Sequence, residues 1–202
     1  MILLVHGGLG DGMNADRFWT LPGISPALRE EGFRVLAPDR PRRPPHWAAE
    51  AEHLAAVLPR HPVTVVAGSN GCSAAVRLAL AFPHLVEGLL LAWPATAGDA
   101  AVDFRARADL ASLGASDQDI RALLDGQTLR GVTDDELAGL AMQTGVLPSN
   151  PGNRAHQRRT VDALLRLVPD SEELPGCPEP PDPGFAAHLD RFLATITEFA
   201  GR

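Results

Sequence analysis

The chain has 202 residues and a formal net charge of −7 at neutral pH. This length allows one sizeable hydrophobic core and is too short for two comfortable domains, so we expect a single domain over residues 1–202. The negative charge, without a stripe of basic residues, argues against nucleic acid as a partner. No stretch approaches the ~20 apolar residues that a membrane-spanning helix needs, which argues against a membrane partner.

Cysteine usage and the start of the chain restrict the chemistry further. The two cysteines, Cys72 and Cys177, do not predict a disulfide framework. The sequence has no cysteine–histidine spacing typical of a zinc site, and we expect neither a metal nor a cofactor. Met1 leads directly into an apolar run without a positively charged leader, so we expect a cytoplasmic protein.

Apolar runs and helical patterns alternate in the N-terminal half. The runs predict strands at Ile2–Val5 and at residues 34–37, 63–67 and 89–93. Between these strands, the spacing of apolar residues predicts helices at 26–31, 47–58 and 73–82. This alternation predicts the α/β class, with a mostly parallel, doubly wound sheet flanked by helices. In such a sheet the functional site lies at the carboxyl ends of the strands.

The strand pattern stops between residues 95 and 141, where the spacing predicts a group of helices. Residues 103–113 and 116–124 have helical spacing, and Thr133 and Glu136 are placed as a capping box for a further helix. Residues 142–147 then predict the penultimate strand. Residues 185–199 predict a final amphipathic helix.

Ser69 lies at a sharp turn between a predicted central strand and a predicted helix, in the sequence Gly68-Ser69-Asn70-Gly71. A turn of this kind lifts the serine side chain above the end of the sheet. It also directs the helix N-terminus at negative charge that forms on a substrate. Ser69 is therefore the candidate nucleophile.

Three segments together resemble the α/β-hydrolase family: Leu4-Val5-His6-Gly7-Gly8, residues 35–40, and the turn at 67–71. The family's Gly-x-Ser-x-Gly elbow is present with Ala67 in place of its first glycine. The resemblance is strong over residues 1–94 and weaker over the last fifty. It implies that residues 95–141 form a helical lid inserted into the single domain and that Ser69 is the nucleophile.

The same resemblance places an oxyanion hole at the backbone amides of Gly8 and Asn70. Two such donors stabilise the oxygen of a tetrahedral intermediate, and losing one can cost about 10²–10³ in rate. The alternative is that Gly7, Gly8, Gly10 and Gly12 form a turn that merely closes a strand. A phosphate-binding or dinucleotide-binding loop is disfavoured, because the required Gly-Lys-Ser/Thr and Gly-x-Gly-x-x-Gly patterns are absent.

The other triad members of the family are missing from their usual places. The resemblance implies an Asp after the penultimate strand, where no carboxylate occurs, and a His before the last helix, where Glu179 stands. His156, in the loop after the penultimate strand, is the first candidate for the base, since a histidine takes up a proton near neutral pH. The alternative is a surface histidine that caps the following helix.

Glu179 is the second candidate, as a carboxylate that orients a partner or acts as a base if burial raises its pKa. Its alternative is a loop carboxylate bonded to backbone amides. Asp99 is either an acid partner one strand early or the cap of a helix. Asp39 is interpreted as a turn and salt-bridge residue, and His6 as a structural residue that holds the oxyanion loop.

The predicted function is an esterase-like serine hydrolase with an incomplete triad, cleaving an ester, thioester or amide of a small apolar molecule. Catalytic roles fall to Ser69, His156, Glu179, Gly8 and Asn70. Two alternatives stay open because of the missing triad members. One is a lyase, cyclase or isomerase on the same fold, and the other is a degenerate hydrolase that binds a ligand or a partner protein.

Two surface features concern partners. The chain begins on the strand that carries His-Gly, so the edge of this strand is exposed unless another chain covers it, and we expect a homodimer. The cluster Arg40-Pro41-Arg42-Arg43 is interpreted as a solvated loop, with contact to an anionic substrate as the alternative.

Overall fold

A single six-stranded sheet organises the protein, and a computed structural model describes residues 1–9 and 12–201. All strand pairs are parallel, and the strand order is β2-β1-β3-β4-β5-β6. The strands are β1 (Ile2–Val5), β2 (Val35–Leu36), β3 (Val63–Gly68), β4 (Val86–Ala92), β5 (Gln143–Leu147) and β6 (Ser171–Glu173). The predicted fold class, a doubly wound α/β sheet flanked by helices, is confirmed.

Helices connect consecutive strands along the whole chain. They are α1 (Ile24–Glu30), α2 (Trp47–Val57), α3 (Gly71–Ala81), α4 (Ala100–Ser112), α5 (Asp117–Leu124), α6 (Asp134–Ala138), α7 (Arg158–Leu167) and α8 (Leu189–Ala200). Shorter turns of helix occur at Asp16–Thr20, Pro83–Leu85 and Pro183–His188. No helix in the described part of the chain is both long enough and apolar enough to cross a membrane.

Both faces of the sheet are buried at β1, β3 and β4, which explains why these strands are largely apolar runs without polar alternation. Successive side chains point to opposite faces, so Leu3 and Val5 join one core layer while Ile2 and Leu4 join the other. The first layer contains residues of α2, α3 and α7 (Leu54, Leu78, Leu164), and the second contains residues of α1 and α8 (Leu28, Phe192).

β1 is not an edge strand, which corrects the argument for a homodimer. It pairs with β3 on one side and with β2 on the other. β2 forms the edge of the sheet instead, and it is only two residues long. The backbone groups that were expected to need a partner chain are therefore satisfied within the described part of the chain.

Between β4 and β5, α4–α6 replace the strand–helix alternation, as the spacing predicts. Thr133 and Glu136 form the predicted capping box at the start of α6. The final amphipathic pattern is divided in two: Phe185 lies in the 3₁₀ turn Pro183–His188, and the α-helix begins only at Leu189.

Candidate active site

Ser69 occupies a strained turn between the end of β3 and the start of α3. Its φ is +54°, in the left-handed region that residues with a side chain rarely adopt. The turn is held from the neighbouring strand, because the Ser69 amide donates to the Ala92 carbonyl at 3.0 Å. Strain of this kind costs roughly 1–3 kcal/mol and persists only where the surroundings enforce it. Here it places the Ser69 hydroxyl at the carboxyl end of the sheet.

Gly71 allows the elbow to lie directly on β1. A Cβ atom at this position would be 2.6 Å from both the Val5 and His6 carbonyl oxygens, which is far inside van der Waals contact. Ala67, in contrast, is an ordinary buried strand residue opposite Leu91. The methyl group is therefore accommodated at the first position of the elbow motif, whereas Gly71 has no room for one.

The loop after β1 carries Gly8, whose φ of +89° favours glycine. Arg40 holds this loop through one guanidinium nitrogen, Nη1, which donates to the carbonyls of His6 at 3.0 Å and Gly8 at 2.9 Å. The Arg40 charge is balanced by Glu50 in a buried ion pair at 2.5 Å. Gly10, a further glycine singled out in the sequence, lies outside the described residues.

His6 supports the same loop as a neutral residue. Its Nδ1 donates to the Gly7 carbonyl at 2.7 Å, and its Nε2 accepts the Arg40 amide at 2.9 Å. Burial and the nearby Arg40 charge lower the pKa of His6 to about 4. This arrangement agrees with the structural role expected for His6.

His156 reaches Ser69 from the loop that follows β5. Its Nε2 is 2.8 Å from the Ser69 Oγ, so the neutral ring can accept the hydroxyl proton. Burial, followed by the charge of Arg130, lowers the pKa of His156 to about 4. The alternative of a surface helix cap is wrong, since His156 is 7% exposed and Gln157 is the residue that precedes α7 as its N-cap.

Glu179 approaches the same ring nitrogen from the loop after β6. Its Oε2 lies 3.2 Å from His156 Nε2. This oxygen atom nevertheless has no hydrogen-bond partner among the described residues, because Nε2 accepts from Ser69 and has no proton to donate. Burial raises the pKa of Glu179 to about 7. The Asn153 side chain opposes that shift by hydrogen bonding, and the Asp182 charge adds to it.

The two loops carry their titratable residues in the opposite order from the one that the resemblance implies. A histidine follows β5, where an acid was expected, and an acid follows β6, where a histidine was expected. β5 and β6 are parallel neighbours, so their carboxyl ends open at the same edge of the sheet. An exchange of residue types between these loops therefore still brings an imidazole and a carboxylate to one serine.

An open cleft of about 670 Å³ lies over the elbow, and Gly8, Ser69, Asn70 and His156 all line it. α4 forms one wall of this cleft. Glu179 is not among its lining residues. It approaches His156 Nε2 from outside the cleft and lines a separate pocket of about 420 Å³. The structure thus brings together all five residues predicted for the site, with Ser69 and Glu179 both beside His156 Nε2.

Asp99 and Asp39 are occupied elsewhere. The Asp99 carboxylate accepts hydrogen bonds from the amides of Ala101 and Val102 as the N-cap of α4. Of the two roles considered for Asp99, the structure therefore shows the helix cap. Asp39 accepts the Ala15 amide at 2.8 Å from the irregular segment that follows β2, and not from a turn. Within residues 1–9 and 12–201, no three His, Cys, Asp or Glu side chains are grouped in a way that could hold a metal ion.

Arg130 is a buried cleft residue of chemical interest that the sequence did not indicate. It lies between α5 and α6, is 2% exposed, and donates to the Asn70 side chain at 2.7 Å. Its sequence context, Leu129-Arg130-Gly131, contains no motif. The only signal is an arginine beside a glycine between two short helices, and that pattern is normally a surface turn.

Comparison with known proteins relies on structure alone. No family model matches the sequence, and no curated protein matches it at a significant level. Solved structures do match. The esterase EaEST from Exiguobacterium antarcticum has a TM-score of 0.73 at 15% identity, with 100% of this chain and 91% of that chain covered.

Two further structures give the same result. BpoC from Mycobacterium tuberculosis H37Rv, which carries a provisional description as a non-heme bromoperoxidase, has a TM-score of 0.75 at 16% identity over 98% of this chain and 90% of its own. The meta-cleavage product hydrolase CumD from Pseudomonas fluorescens IP01 has a TM-score of 0.71 at 18% identity over 98% and 89%. Because these likenesses span nearly the whole of both chains, this chain has the fold of the α/β-hydrolase superfamily.

Proposed function

We propose that this protein is a serine hydrolase that cleaves an ester, thioester or amide bond of a small molecule. The observation that carries the proposal is the 2.8 Å contact between Ser69 Oγ and His156 Nε2 in an open cleft. A nucleophile and a base within hydrogen-bond reach are the minimum requirement for acyl transfer. The structures that this one resembles include an esterase and a meta-cleavage product hydrolase, in agreement with hydrolytic chemistry.

In the first step, the Ser69 oxygen attacks the carbonyl carbon while its proton moves to His156 Nε2. The carbonyl π electrons move onto oxygen, and the backbone amides of Gly8 and Asn70 are the donors assigned to that oxyanion. Both residues line the cleft beside Ser69, and neither amide donates a hydrogen bond to another described residue outside helices and strands.

Glu179 is assigned to the imidazolium that forms in this step. Once His156 Nε2 carries the proton, the Glu179 oxygen 3.2 Å away becomes its acceptor and counter-charge. An ionised Glu179 thereby offsets the low basicity that burial imposes on His156. This differs from the usual triad, in which the carboxylate binds the other ring nitrogen.

The imidazolium then returns its proton to the leaving group as the carbonyl re-forms, which leaves an acyl group on Ser69. Water attacks this acyl-enzyme in the second half of the cycle, with His156 again taking the proton. Collapse of the second tetrahedral intermediate releases the acid and regenerates the Ser69 hydroxyl.

The proposal is tested by incubating the protein with a fluorophosphonate and identifying the adduct by intact-mass and peptide mass spectrometry. Attack of Ser69 on phosphorus with loss of fluoride should give one adduct, on Ser69. Ser73→Ala is the matched control, because Ser73 is a buried serine of the adjoining helix and does not line the cleft. Labelling should persist in Ser73→Ala and vanish in Ser69→Ala. A folded wild-type protein without an adduct would contradict the proposal.

The base assignments are tested by turnover of a neutral ester. We expect His156→Ala to lower turnover by at least the ~10² typical of a general base. Glu179→Gln should lower it as well. If neither variant loses activity, both residues are wrongly assigned.

A further inference from the structure

Arg130 is a buried cation in the wall of the cleft that also holds Ser69 and His156. Only 3% of its side chain is exposed. Its Nη1 donates to Asn70 Oδ1 at 2.7 Å, and its Nη2 donates to Asp103 Oδ1 at 3.0 Å. Its Nε is buried and has no hydrogen-bond partner in the described part of the chain.

The hydrogen bonds of Arg130 are incomplete for a buried guanidinium. This group has five N–H donors in a planar fork that suits a carboxylate with two parallel bonds. Asp103 offers a single contact from a side chain that is 26% exposed, and Asn70 is uncharged. Leaving a buried charge so weakly compensated is costly, and a further anion would relieve that cost.

The charges around the cleft point the same way. Although the chain carries a net charge of −7, the arginines lining the cleft (Arg105, Arg130 and Arg154) outnumber its one lining carboxylate, Asp109. Arg105 and Arg154 are exposed and form no ion pair with another described residue. An excess of positive charge in the cleft attracts anionic ligands, although the protein as a whole is acidic.

We propose that the cleft selects substrates that carry an anionic group, a carboxylate or a phosphate, close to the scissile bond, and that Arg130 is its main contact. As a statement about substrate, this rests on the proposed hydrolase function, whereas anion binding itself does not. It replaces the apolar substrate expected from the sequence. The group must lie near the reacting carbonyl, because Arg130 holds the side chain of Asn70, the residue directly after Ser69.

A substrate anion would compete with Asp103 for Arg130, although Asp103 itself lines a neighbouring pocket and not the cleft. It lies on α4, a helix with a single buried residue, so its carboxylate can be displaced at little packing cost. Displacement also has a consequence for the base. The Arg130 charge contributes to the low pKa of His156, and a substrate anion beside Arg130 would offset it.

The test measures ligand binding to the Ser69→Ala protein by isothermal calorimetry. Monoethyl glutarate and ethyl pentanoate have the same chain length and differ only in the terminal carboxylate. We expect the anionic ester to bind roughly tenfold tighter or more, the size expected for a charge-assisted bond. A third ligand, ethyl 4-phosphonobutanoate, distinguishes a phosphate preference from a carboxylate preference.

Three variants in the same background identify the contact. Arg130→Gln should abolish the preference, and Asp103→Asn should strengthen it several-fold by removing the competing carboxylate. Arg107→Gln is the matched control. Like Arg130→Gln it removes one positive charge, but from an exposed position of α4 outside the cleft lining, and it should leave the preference unchanged.

Equal binding of the anionic and neutral esters would overturn the proposal, and so would a preference that Arg107→Gln reduces as much as Arg130→Gln does. If Arg130→Gln fails to fold, the direction of the Asp103→Asn effect decides alone, since a purely structural Asp103 would not raise anion affinity when replaced. Tight anion binding by Ser69→Ala, together with a wild-type protein that hydrolyses no ester, would refute the hydrolase function and leave the anion site standing. If the wild-type protein hydrolyses both esters with equal KM, the hydrolase function stands and the anion site is refuted.

Discussion

The imidazole of His156 meets Ser69 and Glu179 with one and the same nitrogen, while its Nδ1 is buried without a partner among the described residues. A neutral ring must then carry its proton on Nδ1 in order to accept from Ser69. The carboxylate is of no use to this resting ring, and it becomes useful only when Nε2 is protonated. In the proposed mechanism, Glu179 therefore stabilises the charged intermediate more than the ground state, which is the condition for lowering a barrier.

The pH dependence of kcat/KM should report the ionisation of Glu179. Burial sets the pKa of Glu179 to about 7, and only the ionised carboxylate stabilises the imidazolium. We expect kcat/KM for a neutral ester to rise with pH through about 7 and then to level off. The pKa of His156 is about 4, so its titration adds no limb near neutrality. Glu179→Gln should remove the rise of kcat/KM near pH 7 and should lower the value that kcat/KM reaches at high pH.

Asp182→Asn provides a control for this assignment. The Asp182 charge contributes to the raised pKa of Glu179. Its removal should therefore move the rise of kcat/KM to lower pH without lowering the value of kcat/KM at high pH. A limb that stays in place in Glu179→Gln would mean that another group titrates.

At the residue scale, the sequence identifies most of the site because the elbow and the His-Gly loop are local patterns. Ser69 follows from its turn between a predicted strand and a predicted helix, and His156 from its loop after a predicted strand. Gly8, Asn70 and Glu179 follow from the positions that the resemblance to the α/β-hydrolase family implies. The contact of His156 with both partners could not be derived, because it depends on how two loops far apart in sequence meet. Arg130 was missed for the same reason, since its partners are 60 and 27 residues away.

Among the elements, α3 approaches the backbone of β1 closely at the site, which Gly71 makes possible. Gly71→Ala should destabilise the protein by about 1–3 kcal/mol or more, because the methyl group would overlap two backbone carbonyls that cannot give way. The better helix propensity of alanine contributes at most about 1 kcal/mol in the opposite direction and does not compensate. Urea unfolding measures the difference.

Gly152→Ala is the matched substitution for that experiment. A Cβ atom at Gly152 meets nothing within 4 Å, and its φ is not in the left-handed region. We expect its free energy of unfolding to stay within about 0.5 kcal/mol of the wild type. Similar losses in both variants would show that the contact with β1 is not the cause.

Strands and helices with a strong apolar period were predicted within a few residues of their bounds, because burial on a sheet or a helix face enforces that period. One element without it, β6, was missed, and α8 begins elsewhere than predicted. β6 (Ser-Glu-Glu) is polar and has no buried residue, so its place in the sheet comes from pairing with β5. The predicted final helix begins later than expected, because Pro183 and Gly184 start a 3₁₀ turn that extends to His188. The apolar spacing of residues 185–199 is helical throughout and does not reveal this turn.

For the whole molecule, three buried titratable groups make stability depend on pH in opposing ways. The pKa of His6 and of His156 falls from 6.5 to about 4 on folding, so their contribution is complete above 6.5 and is lost as pH falls toward 4. The pKa of Glu179 rises from 4.5 to about 7, so its contribution is complete below 4.5 and is lost as pH rises through 7. Between these limits, unfolding takes up two protons at the histidines and releases one at Glu179.

We therefore expect the free energy of unfolding to increase by about 1.4 kcal/mol per pH unit between about pH 5 and 6 in the wild type. In Glu179→Gln the increase should be about twice as steep, because only the histidines remain. Urea unfolding at several pH values in this range measures both slopes. A shallower slope in Glu179→Gln than in the wild type would contradict the opposing roles of these groups.

The three groups assigned to the proposed reaction, at positions 69, 156 and 179, lie in segments that follow three different strands. During synthesis, the elbow and the strands β1 and β3 that support it leave the ribosome before the loops that follow β5 and β6. In the proposed mechanism, a nascent chain that ends before residue 156 therefore has the strained serine without its base, and Ser69 becomes reactive only once the later loops have joined the site.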